Sequence, residues 1–202
     1  MTSKPRSERQ ESERREPERG VLFTAEQLSE MSENPDLETL ERYRNALVPE
    51  MHKADITTHA RVAAFLANVM QETDRLRTLE EYGDKGHFRS FLGDQWRYHG
   101  RGFLMHTRRE SYERLSDVLG VDLVSDPDLL ARPDVAGKAA TWFWGEHGLN
   151  AYADRGEFEE VCAIVSTGSE SGEASGLADR LKFYDRAKRI LSKEGRENSG
   201  PS

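Results

Sequence analysis

The sequence predicts an all-helical, irregular domain, and three observations carry that reading. Apolar residues recur at three- and four-residue intervals in segment after segment, the period of a helix with one buried face. Helix-start signatures stand before several of these segments: capping boxes at Thr24 and Thr107, and a proline at a first helical position, Pro133. No unit repeats at a fixed period and the connections differ in length, which excludes a solenoid or a simple up-down bundle.

Residues 1–20 alternate Arg and Glu with Ser and Pro and hold almost nothing that could be buried, so a disordered charged tail is expected there. The domain is expected over 21–192. Thr24-Ala25-Glu26-Gln27 fits a capping box that opens a short helix through Leu28 and Met31. A second helix carries Leu37, Leu40, Tyr43 and Leu47 and is expected to be interrupted at Pro49, which has no amide hydrogen to donate. Over 58–74, Val62, Phe65, Leu66, Val69 and Met70 mark one buried stripe on a long, central helix. From 79 to 102 that period is lost and Gly, Asp and aromatic residues accumulate, so a small β-hairpin or an irregular loop is expected as a cleft wall. Thr107-Arg108-Arg109-Glu110 reads as another capping box, leading a helix through Tyr112, Leu115, Val118 and Leu119 that stops at Gly120. Asp126-Pro127 begins a short helical turn. Pro133 leads a helix carrying Val135, Ala139, Trp142 and Phe143, with a stop at Gly148. Two further helices follow, one through Phe158, Val161, Cys162 and Val165, the other through Leu177, Leu181, Tyr184, Ala187, Ile190 and Leu191. Residues 193–202 read as a polar tail.

Composition narrows the function classes. With 202 residues and 36% hydrophobic content, the chain can bury one sizeable core. A formal net charge of −8 argues against nucleic acid as a partner, because phosphate neutralisation needs a surplus of Lys and Arg. Cys162 is the only cysteine, so no intrachain disulfide forms and a small buried hydrophobe is expected there. No run of 18 apolar residues predicts a membrane span, and the first twenty residues have no apolar stretch of a signal peptide. The six histidines form no ligand pair backed by Cys or a patterned carboxylate, so no metal and no cofactor is expected.

The chemistry resides in the carboxylates. At 100° per residue Glu72 projects about 20° from Phe65 and about 60° from Val69, on the edge of the buried stripe. A carboxylate there is partly desolvated, the setting a general acid needs, though a helix-edge Glu also snorkels readily to water. Glu80 and Glu81 arrive on a loop beyond the helix and can approach Glu72 across a groove. Paired carboxylates of this kind hydrolyse glycosidic bonds: one protonates the leaving oxygen while the other activates water or attacks directly.

The run Phe65-Leu66-Ala67-Asn68-Val69-Met70-Gln71-Glu72, the glutamates at 80 and 81, and Tyr98-His99-Gly100-Arg101-Gly102-Phe103-Leu104 together resemble glycoside hydrolase family 19, the chitinases and phage-type endolysins. The resemblance continues through Trp142-Phe143-Trp144 and Gly148-Leu149-Asn150-Ala151 to Gly176-Leu177-Ala178-Asp179-Arg180-Leu181, and spans roughly 40–191. It implies a lysozyme-like helical fold and an inverting acid/base hydrolase of β-1,4-linked N-acetylhexosamine polymers, peptidoglycan or chitin. Carried over residue by residue, it makes Glu72 the general acid and Glu81 the general base, with Glu80 the reserve choice. Thr107 would hold the attacking water, Arg180 would brace the carboxylates, and Tyr98, Arg101 and Ser111 would contact substrate. A structural ion pair is an equal alternative for Arg101.

Departures from the family pattern bear on activity. Gln71 stands where His precedes the acid, Met105 where Gln follows the glycine motif, Ser111 where an Asn is usual, and Val165-Ser166-Thr167-Gly168 in place of the Ile-Asn-Gly-Gly segment. Besides the hydrolase, the sequence leaves open a glycan-binding pseudoenzyme and an interaction protein that keeps only the fold. A monomer is expected, made in the cytoplasm and acting at the cell wall if exported or released.

Overall fold

The computed structural model describes residues 22–197, with side chains described through Ser192. The tail expected over 1–20 and the end of the chain from 198 onward lie outside the described residues. Within them the chain forms nine α-helices: α1 (Ala25–Ser32), α2 (Leu37–Lys53), α3 (His59–Glu72), α4 (Lys85–Leu92), α5 (Arg109–Leu119), α6 (Pro133–Glu146), α7 (Leu149–Arg155), α8 (Phe158–Thr167) and α9 (Leu177–Glu197). Two 3-10 turns, Gly93–Tyr98 and Pro127–Ala131, join α4 to α5 and α5 to α6. The fold is all-helical and lysozyme-like. No strand forms among the described residues; strand-like pairing is limited to single bridges from Arg101 to Glu80 and to His106.

Local chemistry explains most of the helix ends. Thr24 and Gln27 form the reciprocal cap of α1, the Thr24 amide donating to Gln27 Oε1 at 2.7 Å and the Gln27 amide to Thr24 Oγ1 at 3.2 Å. Thr58 caps α3 by accepting from the Arg61 amide at 3.3 Å. Gly120 ends α5 in a left-handed conformation, φ 65°, and Pro133 occupies the start of α6.

Four expectations need correction. Helix α2 runs through Pro49 to Lys53 instead of breaking. The proline leaves the Asn45 carbonyl without its helical donor, but Leu47 and Met51, both fully buried, hold the segment in the core on either side. Thr107 does not cap α5. Its N-cap is Arg108, and the Gln95 side chain accepts from the Arg109 amide at 3.1 Å. The stretch 79–102 is largely helical, because Asp84 accepts from the His87 amide at 2.8 Å and Phe88 is buried, which together start and anchor α4. Helix α9 runs on past Ser192 to Glu197, into the stretch read as a polar tail, whereas α6 does stop before Gly148 as expected; the short helix α7 that follows is one that sequence periodicity was too brief to reveal.

Helix α3 is the axis of the molecule. Every residue from Val62 to Met70 is buried, and α7, α8 and α9 pack around it. Phe65 meets Trp144 of α6 edge-on at 5.3 Å. Helix α6 in turn lies against α2, where a Cβ built on Gly137 would come within 2.9 Å of the Ala46 carbonyl oxygen, so only glycine fits. A smaller second core, with Tyr98, Tyr112, Leu115, Leu123 and Leu130, forms beneath α5 and shares α6 with the first.

Candidate active site

Glu72 is the last residue of α3, and its carboxylate is held from behind by α9. Arg180 of α9 is 1% exposed and donates from Nη2 to Glu72 Oε1. Its remaining bonds run to neutral oxygens: Nη1 to Asn68 Oδ1 at 2.6 Å, Nη2 to Ser166 Oγ at 2.9 Å and Nε to the Ser175 carbonyl at 2.9 Å. Asn68 lies one turn before Glu72 on α3 and steadies itself by donating to the Ala64 carbonyl at 2.9 Å. Among the described residues Glu72 is therefore the one anionic partner of Arg180, with its second carboxyl oxygen left to the cleft. Cys162 of α8 lies beside this cluster, and burial pushes its thiol up to about 12, with Arg180 and Asn68 pulling the other way.

Beyond Glu72 the chain reverses in a left-handed turn. Asp74, Arg75 and Leu76 have φ of 45°, 62° and 62°, a conformation that costs non-glycine residues roughly 1–2 kcal/mol each. Several contacts hold it. The Arg75 amide donates to the Met70 carbonyl at 2.7 Å, and the Leu76 amide to Thr73 Oγ1 at 3.0 Å. Asn34 Nδ2 donates to the Leu76 carbonyl at 3.0 Å, and Arg75 pairs with Glu33 at 2.8 Å. The returning chain then presents Glu80 and Glu81 to opposite sides. Glu81 Oε2 accepts from the Gly100 amide at 2.9 Å while its own amide donates to the Gly100 carbonyl at 2.9 Å. Glu80 turns away to His99 Nε2 at 2.7 Å and Arg101 at 3.2 Å. Tyr82 next in line donates its hydroxyl to Asp74 at 3.1 Å, tying the loop back to the turn.

Glu72 and Glu81 line one open cavity of about 360 Å³. Asp74, Thr78 and Tyr82 form its floor and rim, and Gly100, Met105 and Thr107 close the far side. Three of the expected site residues, Glu72, Glu81 and Thr107, thus come together from three separate segments, with Arg180 behind Glu72. The others do not join them. Tyr98 belongs to the second core, edge-on to Tyr112 at 5.2 Å, with its hydroxyl donating to the Val124 carbonyl at 3.2 Å. Arg101 is 4% exposed and spends its guanidinium on the Arg97 carbonyl, Tyr112, Glu80 and Asp128, which makes it the structural ion pair rather than a substrate contact. Ser111 sits half-buried on the first turns of α5, outside the cavity lining.

Sequence reasoning missed Asn68, although a lone amide inside a run of buried apolar residues, four before Glu72, was a usable signal. It also missed the Asp74–Tyr82 contact, for which a left-handed turn of ordinary residues leaves no signature. Gln71 lines the cavity as well and packs onto Gly176, where a Cβ would fall 2.4 Å from its Nε2.

The chain is similar to chitinases of known sequence and of known structure. Residues 77–151 match a family model described as Chitinase class I. Chitinase 11 of Oryza sativa subsp. japonica is 35% identical over 96 residues, which cover 47% of this chain and 35% of that protein. The basic 30 kDa endochitinase of Solanum lycopersicum is 29% identical over 186 residues, covering 71% of this chain and 58% of the relative. The chain therefore spans only part of the length of these relatives. Among solved structures, chitinase C from Streptomyces griseus HUT6037 superposes with a TM-score of 0.66 at 23% identity, over 86% of this chain and 78% of that one. A bacterial family 19 chitinase gives a TM-score of 0.61 at 24% identity, over 85% and 95%. At those identities the likeness is one of fold.

Proposed function

We propose that the chain, which is similar to family 19 chitinases, is a glycoside hydrolase of that family and hydrolyses β-1,4-linked N-acetylhexosamine polymers, peptidoglycan or chitin, by inversion. The observation that carries this reading is that Glu72, Glu81 and Thr107 line one cavity while a buried arginine holds only one oxygen of Glu72.

In the proposed reaction Glu72 gives the proton on its free carboxyl oxygen to the glycosidic oxygen as the bond to the anomeric carbon breaks. A water hydrogen-bonded to the Thr107 hydroxyl adds to that carbon from the opposite face, and Glu81 takes the proton it loses. The cycle leaves Glu72 ionised and Glu81 protonated, and exchange with solvent resets both. Arg180 stabilises the ionised Glu72 that proton transfer produces. The Gly100 amide occupies one oxygen of Glu81 and aims the other.

The test is release of reducing ends from chitin oligosaccharides, and loss of turbidity of cell-wall suspensions, for the wild type beside Glu72→Gln and Glu81→Gln. Each substitution is expected to lower turnover by about 10²–10⁴-fold, and the first product seen by NMR should be the α-anomer. Wild type and Glu72→Gln of equal activity would overturn the hydrolase. Sedimentation of both with insoluble glycan and no cleavage would leave a glycan-binding protein in its place.

A further inference from the structure

A second cavity, of about 380 Å³, opens beside the first and shares Thr78, Glu81 and Tyr82 with it. Its other wall is made by Lys85 and Phe88 of α4 and by Trp96 of the 3-10 turn that follows. Two cations rest on the Trp96 ring, Lys85 Nζ at 4.6 Å and the Arg89 guanidinium at 5.1 Å from its centre. Neither has a carboxylate partner among the described residues. Glu80, in the same wall, is already answered by His99 and Arg101. The unanswered charge on the side away from Glu81 is therefore positive, and it is fixed over an aromatic face that also offers an apolar surface.

A chain of N-acetylglucosamine brings no carboxylate to this wall. A peptidoglycan strand does, because alternate sugars carry, through a lactyl ether, a short peptide with methyl groups and free carboxylates. We infer that the second cavity recognises this stem peptide, with Lys85 and Arg89 taking a carboxylate and the partly exposed Trp96 packing against its alanine methyls. The inference rests on the reading of the adjoining cavity as a glycan cleft, and it makes peptidoglycan the preferred polymer of that cleft.

The test uses the full chain carrying Glu72→Gln, so that binding is measured without turnover. Calorimetry compares three soluble ligands: the N-acetylglucosamine–N-acetylmuramic acid disaccharide with its tetrapeptide, the same disaccharide with the peptide removed, and diacetylchitobiose. The peptide-bearing unit is expected to bind about five- to tenfold more tightly than either of the others, and Lys85→Gln combined with Arg89→Gln to abolish the difference. Both substitutions are at exposed positions, and cleavage of chitin oligosaccharides by the double variant in the otherwise wild-type chain should be unchanged. Equal affinity for the three ligands, a preference satisfied by the lactyl carboxylate alone, or a preference that survives the double variant would each overturn the inference. An inactive wild type that still preferred the peptide-bearing unit would sink the hydrolase reading and leave this one standing.

Discussion

A buried guanidinium must have its own donors answered before it can orient a neighbour, and Arg180 meets that condition through Asn68, Ser166 and the Ser175 carbonyl. Asn68 is then a positioning residue, acting on Glu72 only through Arg180. Asn68→Leu keeps the approximate shape and removes the acceptor, so urea unfolding should show a loss of about 1–3 kcal/mol. On the proposed reaction kcat should fall while KM changes little; a variant normal in both stability and kcat would remove Asn68 from this role. A second buried polar group, His106, is tested through pH. Burial lowers its pKa from 6.5 to about 4; the Ala139 backbone opposes this and His147 adds to it, and its Nε2 has no partner among the described residues. The folded protein keeps this ring neutral down to about pH 4, whereas the unfolded chain takes up its proton below about 6.5. Stability from this group is thus complete above 6.5 and is lost as the pH falls toward 4, by up to about 3 kcal/mol. Unfolding free energies at pH 7 and pH 4.5 should differ less in His106→Gln than in the wild type, and equal differences would contradict the assignment.

The close crossing of α2 and α6 depends on the missing side chain of Gly137. Gly137→Ala sets a methyl group against the backbone at Ala46, which has no flexible end to move aside. The expected cost is about 1–3 kcal/mol, read as a lower melting temperature in circular dichroism, and an unchanged or higher value would show that the helices can part without loss. This contact is of a kind that one sequence does not disclose, since it depends on where two distant helices meet. What the sequence does disclose is local. The Thr24–Gln27 box, the apolar period of α3 and Pro133 at the head of α6 each act within a few residues, and the helices they predict are present. Pro49 and Thr107 misled because packing around Leu47 and Met51, and the side chain of Gln95, act from outside the local segment. The site divides along the same line. Helical projection was enough to put Glu72 at a helix edge, but the opposite orientations of Glu80 and Glu81 depend on Gly100 and His99, some twenty residues further on.

Seen whole, the described residues form two cores that share one helix. Helix α6 contributes Ala136, Ala140 and Trp144 to the larger core and Val135 and Ala139 to the smaller. The candidate acid is carried by the first core, which also takes Phe103 and Leu104 from between Gly100 and Thr107, and Thr107 leads on to α5 over the second. Breathing of the larger core near Glu72 has a chemical witness in Cys162, fully buried on α8 and with its thiol pushed up to about 12. In the closed form neither ionisation nor access favours attack on a disulfide reagent. Labelling by such a reagent at neutral pH should therefore follow the separation of α8 and α9, and it should quicken in Asn68→Leu if the Arg180 cluster clamps those helices; equal rates would mean that it does not. The single thiol of this chain becomes a clock set beside the candidate acid, timing how often the wall behind Glu72 opens.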